Sequence, residues 1–210
     1  MTPEEMVELR DSIIQRHTSF MEITANIPVA PTDINSTDIA TDASVEAIFL
    51  RAFTAYENDV EQIFLHYATG GITLNNLQPT SHLNTTDRAL ARNIVKGANK
   101  FISWAQADSL AKTAKLYMRE GWPLAVVVSA NSQFLSDGER VRNRIAHNSP
   151  EAIQQFRIVQ RNMLGTERLF DLSPGQFLRM KHTRQRILYI DFYMNILTQA
   201  LIAMMEPAEL

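Results

Sequence analysis

The sequence predicts an all-α protein, and three observations carry that prediction. Apolar residues recur at spacings of three and four along most of the chain, as one face of a helix requires. Glycine is scarce, at seven of 210 residues. Proline, serine, aspartate and asparagine gather where those apolar patterns begin and end, as helix start and stop signals do. We expect a bundle of about five to seven helices. Residues 1–43 should form a long N-terminal helix and a loop, and residues 44–210 the bundle itself.

The first helix should start at Thr2 or Pro3, because proline suits a first turn and Glu4 and Glu5 complement the positive helix end; it should run to Thr24. Ile27 to Asp42, with two prolines and many Thr, Asp and Asn residues, reads as a loop. A long second helix covers Ser44 to Ala68, where Val45, Phe49, Phe53, Tyr56, Val60, Ile63 and Phe64 form a broad apolar face. Gly70-Gly71 ends it. Asn84 to Asp87 carries a helix start, although Gly97 and Asn99 argue against a long helix behind it. Gln106 to Glu120 reads as the next helix, stopped by Gly121-Trp122-Pro123.

A further helix should run from about Val126 or Ala130 to His147 and close at Asn148-Ser149-Pro150, since a residue before proline avoids helical backbone. Ser149-Pro150 then opens a helix to Met163, and Ser173-Pro174 opens a last one extending to Met205. The stretch Ile187 to Met205 is interrupted by Asp191, Asn195 and Gln199, so a buried helix is expected there and not a membrane span.

The chain has no cysteine, which excludes disulfides, thiolate metal sites and cysteine nucleophiles. It shows no secretory leader pattern, so a soluble, cytoplasmic protein is expected. A net charge of −3 gives no whole-molecule attraction to nucleic acid, but local basic groups act over a Debye length of about 8 to 10 Å. One such group runs from Arg140 to Arg144 and on to Arg157 and Arg161; the other is Arg179, Lys181, Arg184 and Arg186. Solvated helix faces explain most of them.

The most informative segment is Glu139-Arg140-Val141-Arg142-Asn143-Arg144-Ile145-Ala146-His147. Arginine carries a fixed charge that matches phosphate geometry, and histidine moves protons near neutral pH. On a helix turning about 100° per residue, Phe134, Gly138, Val141 and Ile145 form an inward stripe, with Arg142 beside it at a boundary. Asn143 and His147 share a face, joined approximately by Arg140 and Arg144. Arg142 and His147 stand about 140° apart, so they converge only by a long reach, a distorted helix end or a second copy of the chain. Ordinary charge complementarity at a helix C-terminus is the competing explanation of the whole cluster. A lone histidine without a second histidine or a tight acidic group makes a poor metal site, and no metal is expected.

Arg142-Asn143-Arg144-Ile145-Ala146-His147 resembles the signature of HEPN domains, an arginine followed by a polar residue and then a histidine four to six positions after the arginine. Ile48 to Glu57 is similar to the early long helix of that superfamily, and the RiboL-PSP and MAE-type groups resemble this chain most. The resemblance implies a metal-independent endoribonuclease of toxin–antitoxin or antiphage defence systems, without a cofactor. It implies Arg142 and His147 as the catalytic pair, with Asn143 as the adjacent polar residue. Attack by a ribose 2′-hydroxyl on the neighbouring phosphorus would leave a 2′,3′-cyclic phosphate and a 5′-hydroxyl. The expected partners are RNA, a second copy completing a composite site, and an antitoxin or regulatory protein.

Three further residues belong with this set. Glu57 interrupts the apolar face of the second helix and is the natural partner for Arg142. Arg140 and Arg144 are candidates for binding substrate phosphate. Some relatives carry a modifiable tyrosine two residues after the histidine, whereas this chain has Ser149. A non-catalytic helical module that binds RNA or a protein partner is the alternative reading.

Overall fold

The computed structural model describes residues 2–30, 38–97, 102–165 and 172–208. Parts of the predicted loop from Ile27 to Asp42, and Asn99, lie outside the described residues. Among the described residues there are nine α-helices and no strand. They are α1 Pro3–Thr24, α2 Ile39–Ala68, α3 Arg88–Lys96, α4 Ala107–Tyr117, α5 Leu124–Ala130, α6 Ser132–Ala146, α7 Pro150–Leu164, α8 Pro174–Leu178 and α9 Tyr189–Met205. The all-α class holds, with more and shorter pieces than five to seven.

Local chemistry explains the boundaries. Thr2 and Glu5 form a reciprocal capping box at the start of α1, with Pro3 in its first turn. Asp38 accepts the Thr41 N–H at 3.2 Å, which starts α2 ahead of the expected Ser44. Ser149 caps α7 and Ser173 caps α8, each followed by proline as anticipated.

The Arg/His helix takes the later of its two expected starts, near Ala130, and the last predicted helix is broken. The helix before His147 divides at Asn131, whose backbone leaves the helical region at φ −111° and ψ 10°. The Asn131 side-chain amide donates to the Val127 carbonyl at 2.9 Å, and its backbone N–H reaches both Val127 and Val128 at 3.2 Å. The side chain thus competes with the backbone N–H for the Val127 carbonyl, and α6 restarts at Ser132. The final helix divides into α8 and α9. His182 Nδ1 accepts the backbone N–H groups of Arg184 and Gln185, at 3.3 and 3.2 Å, and Arg186 adopts φ 64°. These bonds fold residues 179–188 into a turn that no helix can traverse.

The core forms around α2, which buries Phe49, Phe53, Tyr56, Val60, Ile63 and Phe64. Against it pack α9, through Tyr193 and Met194, and the short α8, through Phe177. The first helix lies along α9 and buries Met6 and Ile13. Helix α6 crosses α2 at Gly138, where an added methyl carbon would stand 3.2 Å from the Phe53 ring and 3.5 Å from Tyr193. That close approach fixes α6, and with it every side chain of the Arg/His segment. The predicted inward stripe is found at Gly138, Val141 and Ile145. Phe134 departs from it: it is 37% exposed and meets Phe192 only edge-on at 5.3 Å, because it lies just after the break at Asn131. The apolar stretch near the C-terminus is α9, a buried core helix, and no described helix is long and apolar enough to cross a membrane.

Candidate active site

Helix α6 presents its polar residues on two sides, and the side decides what each can do. One side borders an open groove of about 520 Å³. Its walls are α6, through Ser136, Glu139, Arg140 and Asn143; the α6–α7 turn, through His147 and Ser149; the first turns of α7; and the start of α4 at Gln106 and Asp108. His147 is the C-cap of α6, with extended backbone (φ −136°, ψ 131°), and its N–H donates to the Asn143 carbonyl at 2.9 Å. That backbone change carries the imidazole off the helix axis into solvent at the end of the groove. Ser149 has its hydroxyl committed to capping the Ala152 N–H.

The other side of α6 faces α2. Arg142 points there, with a guanidinium nitrogen 3.9 Å from Glu57 Oε1. It does not line the groove that holds His147. Arg144 does not line that groove either; its charge reaches Glu46 of α2, whose carboxyl burial pushes up and which the Gly175 N–H, donated at 2.8 Å, chiefly holds down. The structure therefore brings Arg140, Asn143 and His147 together in one groove, and separates Arg142, Arg144 and Glu57 from them.

Asn143 connects the two sides. Its carboxamide oxygen accepts from Arg142 at 3.0 Å, and its amide acts on Glu139, holding that carboxyl down against burial. A polar chain thus runs from Glu57 through Arg142 and Asn143 to Glu139 at the groove wall. Burial pushes both carboxyls above the ordinary glutamate value. At Glu57 the charge of Arg142 opposes that push. At Glu139 the Asn143 hydrogen bond, Arg140 and Arg142 oppose it, whereas Glu57 adds to it. Arg140 is itself oriented by Asp137, at 2.8 Å, a fully buried carboxylate that also accepts from Gln133 at 2.8 Å.

Glu139 was not among the residues singled out from the sequence. Its signal was available in the spacing, since a residue four before Asn143 and beside Arg140 must share their face. The groove is mixed in charge, with Asp108, Glu139 and Glu151 beside Arg140 and His147. Among the described residues no group of three or more His, Cys, Asp or Glu side chains is placed to hold a metal ion.

The second basic run is not one surface. Arg179 is 1% exposed and pairs with Asp42 at 2.8 Å, which corrects its expected place on a solvated face. The close seat of α8 on α2 explains the burial: a methyl carbon added at Gly175 would lie 2.5 Å from Asp42 Cβ. Lys181, Arg184 and Arg186 are exposed on the turn that follows.

In comparisons with known proteins, no family model matches the chain, and no curated protein or solved structure matches it either.

Proposed function

We propose that this chain is a metal-independent endoribonuclease of the HEPN kind, cleaving RNA at the groove beside His147. The observation that carries this reading is the convergence of His147, Asn143 and Arg140 on one open groove. RNA brings its own nucleophile, the 2′-hydroxyl, so the protein needs to supply proton transfer and charge stabilisation. His147 supplies a group that exchanges protons near neutral pH, and it is exposed at the end of α6. Arg140, held by Asp137, offers a fixed cation for a phosphate oxygen. The products are a 2′,3′-cyclic phosphate and a 5′-hydroxyl, and DNA resists for want of the 2′-hydroxyl.

The place of Arg142 is what makes a homodimer part of this proposal. Within one protomer it faces Glu57 and stands away from His147. Direct contact of Arg142 with the scissile phosphate therefore calls for a second copy, which a two-fold meeting of α6 ends would provide. Defence or toxin–antitoxin biology, with an antitoxin or regulatory partner, belongs to the same reading.

The engagement of Arg142 by both Glu57 and Asn143 favours one other reading, a non-catalytic helical module in which this cluster rigidifies an interface for RNA or a protein. Assaying RNA cleavage in EDTA with wild type, Arg142→Ala and His147→Ala distinguishes the two. The nuclease reading expects cleavage that both substitutions abolish; unchanged cleavage by both variants, or none by wild type, rejects it.

A further inference from the structure

The groove holds a second group capable of proton transfer. Glu139 lies on its wall, half-buried, at the middle of α6, two turns before His147. Eight residues separate the two, about 12 Å along the helix axis, with Arg140 and Asn143 between them. Transfer at a phosphodiester by 2′-hydroxyl attack is an in-line displacement. The attacking and leaving oxygens lie on opposite sides of phosphorus, and each needs its own proton partner. One exposed histidine cannot stand on both sides at once.

Three carboxylates border the groove, and their settings separate them. Asp108, on α4, and Glu151, in the first turn of α7, are exposed to water. Glu139 alone is half-buried, in the wall of the groove beside Arg140 and Asn143.

We infer that Glu139 is the general base of the reaction and His147 its general acid. This inference rests on the ribonuclease reading above. The Glu139 carboxylate removes the proton from the 2′-hydroxyl as O2′ bonds to phosphorus. The P–O5′ bond breaks, and the His147 imidazolium delivers its proton to the departing O5′. Arg140 holds a non-bridging phosphate oxygen. Glu139 ends protonated and His147 neutral, and exchange with water restores both. Asn143, and Arg142 of the same protomer, are positioning residues in this scheme, since they act on the reacting atoms through Glu139, while contact of Arg142 with the phosphate belongs to a second copy.

The pH dependence follows from the groups that face Glu139. From its own helix these are Arg140, Arg142 and His147; from α2, Glu57; from α4, Asp108; and from α7, Glu151. Burial raises Glu139, so the acid limb of the rate profile should lie above the ordinary glutamate range.

The test is single-turnover cleavage from about pH 5 to about pH 9 by wild type, Glu139→Gln and Glu139→Asp. Binding of the same oligonucleotide with a 2′-deoxy residue at the cleavage point is measured in parallel. Glu139→Gln should lower the rate by about 100-fold or more and remove the acid limb, while binding of the 2′-deoxy oligonucleotide stays within about two-fold. Glu139→Asp, which keeps the base at a shorter reach, should recover part of the rate together with the acid limb. A Glu139→Gln enzyme that retains both the rate and the acid limb overturns the assignment of Glu139 and leaves the ribonuclease reading standing. Absence of cleavage by wild type at every pH rejects that reading itself, and the assignment falls with it.

Discussion

The Arg142 guanidinium donates to the side-chain oxygen of Asn143 at 3.0 Å, so that two adjacent residues on different sides of α6 share one hydrogen bond. Adjacent positions on a helix point about 100° apart and ordinarily have separate surroundings. Here the bond fixes which end of the Asn143 amide faces α2 and which faces the groove. The oxygen is taken by Arg142, which leaves the amide nitrogen for Glu139.

Asn143→Ala should therefore alter the groove's proton chemistry more than its stability. The hydrogen bond from Asn143 holds Glu139 down, and its removal lets Glu139 rise further. The acid limb of the cleavage profile should move to higher pH, with a melting temperature within a few degrees of wild type. An unmoved acid limb would show that Asn143 has no hold on Glu139.

Arg142→Ala separates a chemical role from a structural one. Its pair with Glu57 is long at 3.9 Å and partly exposed, with side chains 31% and 23% accessible, so the stability loss should be about 1 kcal/mol or less. Loss of cleavage should be about 100-fold or greater, as for removal of a charge-stabilising donor. The opposite pattern, a large fall in melting temperature with cleavage intact, would assign Arg142 to the framework.

Arg179→Ala should be costly to the fold. The guanidinium is buried, pairs with Asp42 at 2.8 Å and lies 3.8 Å from Asp38, tying the end of α8 to the start of α2. Removing one partner of a buried pair leaves an uncompensated carboxylate, and about 3–5 kcal/mol should be lost in urea unfolding. A loss under about 1 kcal/mol would mean that the pair contributes little to the docking of α8.

The Asp59–Arg16 pair predicts a pH-dependent stability. Asp59 is buried on α2 against Arg16 of α1, and burial pushes its carboxyl up to about 6, with Arg16 opposing the shift. An aspartate in water titrates at about 3.8, so between about pH 4 and about pH 6 the folded protein binds the proton that the unfolded chain has released. Stability from this group is then fully present below pH 4 and declines as pH rises to about 6. The unfolding free energy of wild type relative to Asp59→Asn should fall across that window; a constant or rising difference would contradict the raised value.

The helix starts were legible where a side chain reports on its own backbone. Thr2-Pro3, Ser149-Pro150 and Ser173-Pro174 each pair a capping hydroxyl with a proline that must begin a helix, and each does so. The choice of the later start for the Arg/His helix and the break across residues 179–188 were not legible, because neither place contains glycine or proline. They depend on Asn131 bonding back to Val127 and on His182 gathering the N–H groups of Arg184 and Gln185. Periodicity likewise cannot reveal a partner distant in sequence, and the burial of Arg179 was therefore missed: its carboxylate, Asp42, sits at the start of α2.

Within the candidate site, helical angles alone placed Asn143 and His147 on one face and Arg142 away from them, as the structure has them. Where Arg144 points was less accessible, because its surroundings include Glu46 on another helix. Glu139 was overlooked although its spacing from Asn143 was visible. A glutamate before an arginine-rich run reads as a solvated charge until the groove that it lines is known.

The most direct test of the account is the chemistry of the RNA ends that the purified protein produces in EDTA, compared with His147→Ala. The account predicts 2′,3′-cyclic phosphate and 5′-hydroxyl ends from wild type, none from the variant, and an intact substrate when the attacking ribose is 2′-deoxy. RNA left whole by wild type, or the same ends from His147→Ala at an equal rate, would contradict it.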